Sequence, residues 1–351
     1  MIKDLPAEFA DWIRALGLSS TTSLSGEPLA GGVSSDIWRV DLAGGPVCVK
    51  RALSVLKVKA HWEAPIVRNQ YEARWMRFAA AVVPGAVPEC LASDSERGML
   101  LMQYLPSAAY PLWKEMLRDG TIRDKDAAGV GNMLGTIHAR SAAQPDLAAQ
   151  FDSDSIFHAI RLDPYLGAAA IQNTDVALAL EHLIQTTANT RLALVHGDVS
   201  PKNILIGPTG PVLLDAECAW WGDPVFDLAF CLNHLLLKRA WRPHWTNRYQ
   251  QAFSTLLDAY RSAVLRLGLW EPWEDLEARC ARLLPALLLA RVDGKSPVEY
   301  LDPNDQSGGQ RDQIRTLARQ YLRHPTTRLE AINQGWDHEH NHLHSGPAGL
   351  G

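Results

Sequence analysis

The stretch "VHGDVSPKNILIGPTGPVLLD", residues 195–215, decides how this chain is read. It sets an acid (Asp198) and an amide (Asn203) five positions apart, with Pro201 between them. Asp, Ser, Pro and Asn all favour turns, so His196–Asn203 alone is compatible with a surface turn. The residues after Asn203 are more specific. The apolar run 204–206, the turn residues 207–210 and the apolar run 212–215 predict a β-hairpin. With its turn centred between Pro208 and Thr209, the hairpin brings Asn203 and Asp215 to its open end, within one position of facing each other and beside Asp198. Two carboxylates and an amide oxygen converging there are hard ligands of the type Mg²⁺ takes, with phosphate oxygens and water completing the shell.

The chain around this stretch is that of an ordinary folded protein. Its 351 residues suit one large or two modest domains. Hydrophobic residues make up 47% and charged residues 21%, which argues against extended disorder. A formal net charge of −5 gives no reason to expect a nucleic-acid partner, because such binders carry a basic patch. Cys48, Cys90, Cys218, Cys231 and Cys280 are scattered without CxxC spacing and read as reduced thiols. "MIKDLPAEFADWIRALG" has acids and no long apolar run, unlike a signal peptide. The most apolar later segment, 283–290, is too short to span a membrane. The expectation is a cytoplasmic protein with no membrane partner and an open oligomeric state.

Organisation changes near residue 105. Before it, 36–42 and 47–53 predict paired strands around the turn 43–46, and 99–105 predicts another strand. Between them, 69–82 carries Tyr71, Trp75 and Phe78 at helical spacing. After residue 111 the pattern is mostly helical, as in 126–140 with Val130, Met133, Leu134 and Ile137 on one face. We expect an α+β fold of two lobes: a β-rich lobe over 1–105, a larger helical lobe over 106–335, and a disordered His-rich tail over 336–351.

Phosphoryl transfer needs metal to neutralise the phosphates and a group to accept the attacking hydroxyl's proton. Asp-x4-Asn followed by an Asp after one hairpin matches the catalytic loop and metal aspartate of kinases. More specifically, "VHGDVSPKNILI" with "VLLDAECAWWGDPVFDLA" resembles the signature of the aminoglycoside phosphotransferase and choline kinase family. The resemblance implies a protein-kinase-like fold, with ATP and Mg²⁺ as cofactors. It makes Asp198 the catalytic base and Asn203 and Asp215 the metal ligands. It makes Asp227 the aspartate that braces the catalytic loop, in which His196 gives structural support.

The first lobe then supplies the nucleotide clamp. "LAGGVSSDIWRV" (29–40) stands where the family has its glycine-rich loop, with Gly31, Gly32, Ser34 and Ser35 offered to phosphate. It departs from GxGxxGxV, so a plain hairpin turn is an equal reading. "VCVK" resembles the strand lysine motif, which implies Lys50 on the α- and β-phosphates and Cys48 against the adenine. Glu72, in the helical segment, is the expected partner of Lys50, preferred to Glu63. Gln103, Tyr104 and Leu105 form the expected hinge at the adenine edge.

The acceptor is less legible. Gly197 replaces the arginine of protein kinases, and only eleven residues, 216–226, separate Asp215 from Asp227. That leaves little room for a regulatory loop and favours a small hydroxylated substrate over a protein. Trp220 and Trp221 either wall a substrate pocket or pack the lobe. Arg291, in "ARVDGKSPVEYL", either faces substrate or belongs to a capped helix end. "DGKS" (293–296) lacks the preceding glycine of a phosphate loop. Acids at 271–277 and Asp302, Asp305 and Asp312 are offset by Arg282, Arg291 and Lys295, so the sign of the pocket stays open. A non-catalytic nucleotide-binding module and a protein kinase are the rival readings.

Overall fold

A computed structural model describes residues 2–29, 34–55, 64–301 and 309–344, with side chains to Trp336. The first part holds β1 (Lys3–Asp4), α1 (Ala7–Ala15), β2 (Ser25–Pro28), β3 (Ser35–Leu42), β4 (Gly45–Ala52), α2 (Arg68–Val82), β5 (Cys90–Asp94) and β6 (Met99–Gln103). Next come α3 (Trp113–Arg118), α4 (Asp124–Ala142), α5 (Asp154–Phe157), a π-helical stretch (His158–Gly167), α6 (Ala168–Gln172) and α7 (Ala177–Asn189). The short strands β7 (Ala193–Val195), β8 (Ile204–Gly207), β9 (Gly210–Leu213) and β10 (Trp220–Gly222) come after these. The chain then runs through α8 (Val225–Trp241), α9 (Thr246–Leu267), α10 (Trp273–Asp293), α11 (Gln310–Arg323) and α12 (Leu329–His344).

The six strands up to Gln103 form one antiparallel sheet in the order β1-β2-β3-β4-β6-β5. Period-two alternation gives it two different faces. Val47 and Val49 of β4 and Met99 and Leu101 of β6 pack on Phe9, Trp12 and Ile13 of α1. Cys48 of β4 and Leu100 and Met102 of β6 belong instead to the main core, with Tyr71, Trp75 and Met76 of α2. Lys50 therefore points to the face shared with α2 and the second lobe. The α+β, two-lobed architecture is as the sequence led us to expect.

Two helices set the floor of the second lobe. Val130, Met133, Leu134 and Ile137 of α4 are all buried, and α9 lies close against the same helix. Gly131 permits that approach, because a Cβ there would sit 2.1 Å from Leu256 O. The hairpin is built as its spacing predicted: Ile204 faces Leu213 and Leu205 faces Val212, with Pro208 and Thr209 at the turn. At its open end Leu214 N–H donates to Asn203 O at 2.9 Å.

The backbone of α12 is helical to His344. Its sequence carries no proline between Leu329 and His344. Of the two readings open for Trp220 and Trp221, their placement is that of lobe packing. They form β10, pairing with Val195 and Leu194 of β7, and Trp220 stacks on Phe157 at 4.1 Å. Both are buried core. None of the five cysteines is in a disulfide. Among the described residues no helix is long and apolar enough to cross a membrane.

Candidate active site

A cavity of about 530 Å³ lies between the lobes. Ser34, Ser35, Cys48, Lys50, Glu72, Gln103, Tyr104 and Leu105 line it from the first lobe, and Asp198, Asn203 and Asp215 from the second. Each of these is a residue that the sequence pattern singles out. Gly31 and Gly32, and the less favoured Glu63, lie outside the described residues.

Lys50 is the joint between the lobes. Its Nζ donates to Glu72 Oε1 and Oε2 at 2.9 and 2.7 Å and to Asp215 Oδ1 at 2.5 Å. Lys50 is 2% and Glu72 1% exposed. Burial opposes the charge on Lys50, but Asp215 and then Glu72 outweigh it and hold the ammonium above its ordinary range. Burial also lifts Glu72, against the pull of Lys50, to about 7. At Asp215 burial is outweighed by Lys50 and then Lys202, so its carboxyl titrates well below the usual carboxylate range. A buried charge of this kind is tolerable only when partnered.

The loop 196–203 is pinned from beneath. Asp227 accepts from His196 N–H at 2.7 Å and from Gly197 N–H at 2.8 Å. His138, on α4, is buried between Asp227 Oδ2 (3.2 Å) and Tyr260 OH (3.0 Å), a packing role rather than a ligand's. Burial pushes His196 below its ordinary pKa. The neutral ring accepts Asp198 N–H at Nδ1 and meets Leu214 O through Nε2 at 3.1 Å. Gly197 has φ +83°, and a Cβ there would lie 2.7 Å from Cys218 O. A side chain at this position would meet backbone as well as strain.

Asp198 is 2% exposed and held by two cations. Arg161 Nη2 lies 2.8 Å and Lys202 Nζ 3.1 Å from its Oδ2. Burial is outweighed by Arg161 and then Lys202, which keep the carboxyl below its ordinary pKa. Its Oδ1 has only a 3.4 Å contact from Ser200 Oγ. Asn203 Nδ2 donates to Asp198 O at 3.1 Å, which orients the amide and leaves Oδ1 as its acceptor. Asp215 has φ 66°, the one non-glycine residue with positive φ among the described residues. Asp tolerates this conformation better than most side chains. Asn203 Oδ1 and the second Asp215 oxygen are hard donors, and no three His, Cys, Asp or Glu side chains cluster as a metal site among the described residues. That pair fits a cation such as Mg²⁺ that takes most of its shell from phosphate and water.

Four residues escaped sequence reading. Arg161 sits in the π-helical stretch, where Pro164 removes an N–H and widens the helix; its Nε donates to Gly197 O at 2.5 Å. Arg68 is fully buried at the start of α2 and donates to Glu217 Oε2, Ala64 O, Pro65 O, Ser34 O and Leu53 O. It ties Ser34, at the start of β3, to the segment after Asp215. Lys114 reaches the cavity because Leu112 bridges Leu205 of the hairpin. Only Lys202, inside the quoted motif, had a local signal. Arg291 is buried behind the cavity, donating to Ser296 Oγ at 3.0 Å. "DGKS" closes α10, where Gly294 N–H donates to Ala290 O and Lys295 N–H to Pro164 O.

Known proteins resemble this chain in sequence and in fold. The probable ketoamine kinase YniA of Escherichia coli (strain K12) is 29% identical over 152 residues, 40% of this chain and 52% of that protein. Methylthioribose kinase 2 of Oryza sativa subsp. japonica is 22% identical over 220 residues, 55% of this chain and 52% of that protein. The chain thus spans about half the length of these curated relatives. Choline kinase from Cryptosporidium parvum Iowa II shares the fold, with a TM-score of 0.58 at 10% identity, over 94% of this chain and 98% of that one. An amicoumacin kinase, hAmiN, solved with AMP-PNP, Ca²⁺ and Ami, gives 0.56 at 12% identity over 93% and 96%. The phosphotransferase enzyme family, APH, matches residues 25–264, more than half of the chain. On that match, with a kinase-like two-lobed fold beneath it, the chain belongs to the phosphotransferase enzyme family.

Proposed function

We propose that the protein transfers the γ-phosphoryl group of ATP to a hydroxyl of a small molecule. The observation that carries this reading is the junction of Lys50 with Glu72 and Asp215, set in one cavity with Asp198 and Asn203. Lys50, fixed by two carboxylates, is positioned to hold nucleotide phosphates, with Ser34 and Ser35 at the same end. Cys48, Met102 and Ile37 offer an apolar seat to the base. Gln103 N–H is already given to Glu89 O, so the adenine edge falls to Tyr104 and Leu105.

Asn203 and Asp215 would hold Mg²⁺, which when bound neutralises phosphate charge. Asp198 Oδ1 takes the proton of the acceptor hydroxyl as the new O–P bond forms and the bond to the leaving ADP breaks. Arg161 and Lys202 keep that carboxylate ionised and aimed, and Lys202 brings positive charge to where the phosphoryl group passes. Asp227 and His196 hold the loop in register for this step.

A non-catalytic nucleotide-binder would have no need of lysine, base and both metal ligands together, and all four are present. A protein kinase is disfavoured by the segment 216–226, which is taken up by β10 and the approach to α8. The test is ADP release measured over a panel of alcohols, amino alcohols, sugars and aminoglycosides. At least one acceptor is expected to raise ADP release above the acceptor-free rate; uniform inactivity with tightly bound MgATP would overturn the reading.

A further inference from the structure

The cavity has two electrically different ends. Near the sheet, acids outnumber bases: Lys50 pairs with Glu72 and Asp215, and Arg68 with Glu217. Past Asp198 the lining residues are Lys114, Arg161, Lys202 and Ser296. Arg161 and Lys202 share the single carboxylate of Asp198, and Lys114 pairs with the exposed Glu299. Behind Ser296, Arg291 donates through Nη1 to the Ser296 hydroxyl and carbonyl, while among the described residues its buried Nε has no hydrogen-bond partner. Lys238 is 1% exposed, and among the described residues its Nζ also lacks a hydrogen-bond partner; it lies 4.7 Å from the Tyr300 ring centroid and 5.3 Å from that of Trp241. His234, one turn earlier on α8, is held neutral by burial and then by Arg291 and Lys238. Among the described residues, the cations Lys114, Arg161, Lys202, Lys238 and Arg291 gather here around two carboxylates, Asp198 and Glu299.

Asp302 and Asp305 lie outside the described residues; of the other acids in that part of the sequence, three are engaged elsewhere. Glu271 holds Arg279, Glu277 holds Arg328 and Asp312 holds Arg315. None of these three acids lines the cavity. The nucleotide is served by Lys50 and Lys202, so Lys114, Arg291 and Lys238 are surplus to its needs. Buried cations without a full set of partners are costly, and an anion at Ser296 would offset their charge.

We propose that the phosphoryl acceptor carries an anionic oxygen group, a carboxylate or a phosphate ester, recognised by Lys114, Lys202 and Ser296 with Arg291 and Lys238 behind them. The inference rests on the phosphotransferase reading only for which end of the cavity is the acceptor's. A polycation entering there would add charge to a positive surplus and be repelled.

D-glucuronate, D-glucose 6-phosphate, D-glucose and D-glucosamine share the hydroxyls at C1, C3 and C4 and differ in charge. Their affinities for the intact chain, saturated with Mg²⁺ and AMP-PNP, are to be measured by calorimetry. We expect at least one anionic sugar to bind about tenfold or more tighter than glucose and glucosamine. That margin should shrink in Lys114→Gln and in Arg291→Gln and return in Arg291→Lys. Lys114 is partly exposed, so its variant serves if loss of buried Arg291 prevents folding. Glucuronate against glucose 6-phosphate separates a carboxylate from a phosphate ester. Equal binding of all four sugars, no binding by either anion, or an unchanged margin in Lys114→Gln overturns the inference. ADP release run in parallel keeps the two readings apart. Anion selectivity without ADP release overturns phosphoryl transfer alone, whereas release fastest with glucose or glucosamine overturns the anionic acceptor alone.

Discussion

Asp215 carries three demands on one residue: a left-handed backbone, a bond to Lys50 and a free oxygen at the cavity. Asn tolerates the same backbone but lacks the charge. Asp215→Asn should therefore fold and lose Mg²⁺-dependent nucleotide affinity by about tenfold or more. Calorimetry of ATP binding with and without Mg²⁺ checks this, and an unchanged metal effect would remove Asp215 from the ligand set. The positions of Asp198, Asn203 and Asp215 were legible because one hairpin brings them together, and hairpin register is set by turn length. Arg161 was not. It comes from the π-helical stretch His158–Gly167, and only tertiary packing sets it beside Asp198. Trp220 and Trp221 were ambiguous in sequence, open to a pocket wall or to lobe packing, and pairing with β7 places both in the core.

At the scale of elements, α2 is clamped to its surroundings by Glu72 at one turn and Arg68 at the turn before. Glu72 was predictable from a clear helical pattern opposite a strand lysine. Arg68 was not, because its partners are mostly backbone carbonyls that no pattern records. Breaking such a buried charge network by removing one partner costs about 3–5 kcal/mol. Arg68→Met should lose stability on that order in urea unfolding and speed amide exchange near Ser34 and Leu53. Slow exchange there, unaltered from the parent protein, would remove Arg68 as the strut.

Helix α8 offers a pH test. Burial, and then Lys114, push Lys238 down to about 8, with Glu299 raising it and Arg118 and Arg242 lowering it further. An unfolded lysine titrates near ~10.4, so between those values the unfolded chain binds more protons than the folded one. Stability from this group should therefore rise as pH increases through that window. Urea midpoints measured across it should climb less in Lys238→Met than in the parent. Equal slopes would show that Lys238 keeps its ordinary pKa.

For the whole molecule, the two lobes meet at a cavity with an acid-rich end and a cationic end. Strand alternation, the lysine strand and the hairpin made the lobes and the shared cleft readable from sequence. The charge of the acceptor end was not readable, since acids and bases interleave along 271–312 and only folding sorts which of them face the cavity. The central claim is that Asp198 acts as the base in phosphoryl transfer, and one comparison tests it most directly. The turnover of Asp198→Asn is to be measured beside its ATP affinity, using an acceptor that the parent protein phosphorylates. A base at Asp198 predicts a fall in kcat of about 10²–10⁴-fold with ATP binding retained; turnover equal to that of the parent protein would contradict it.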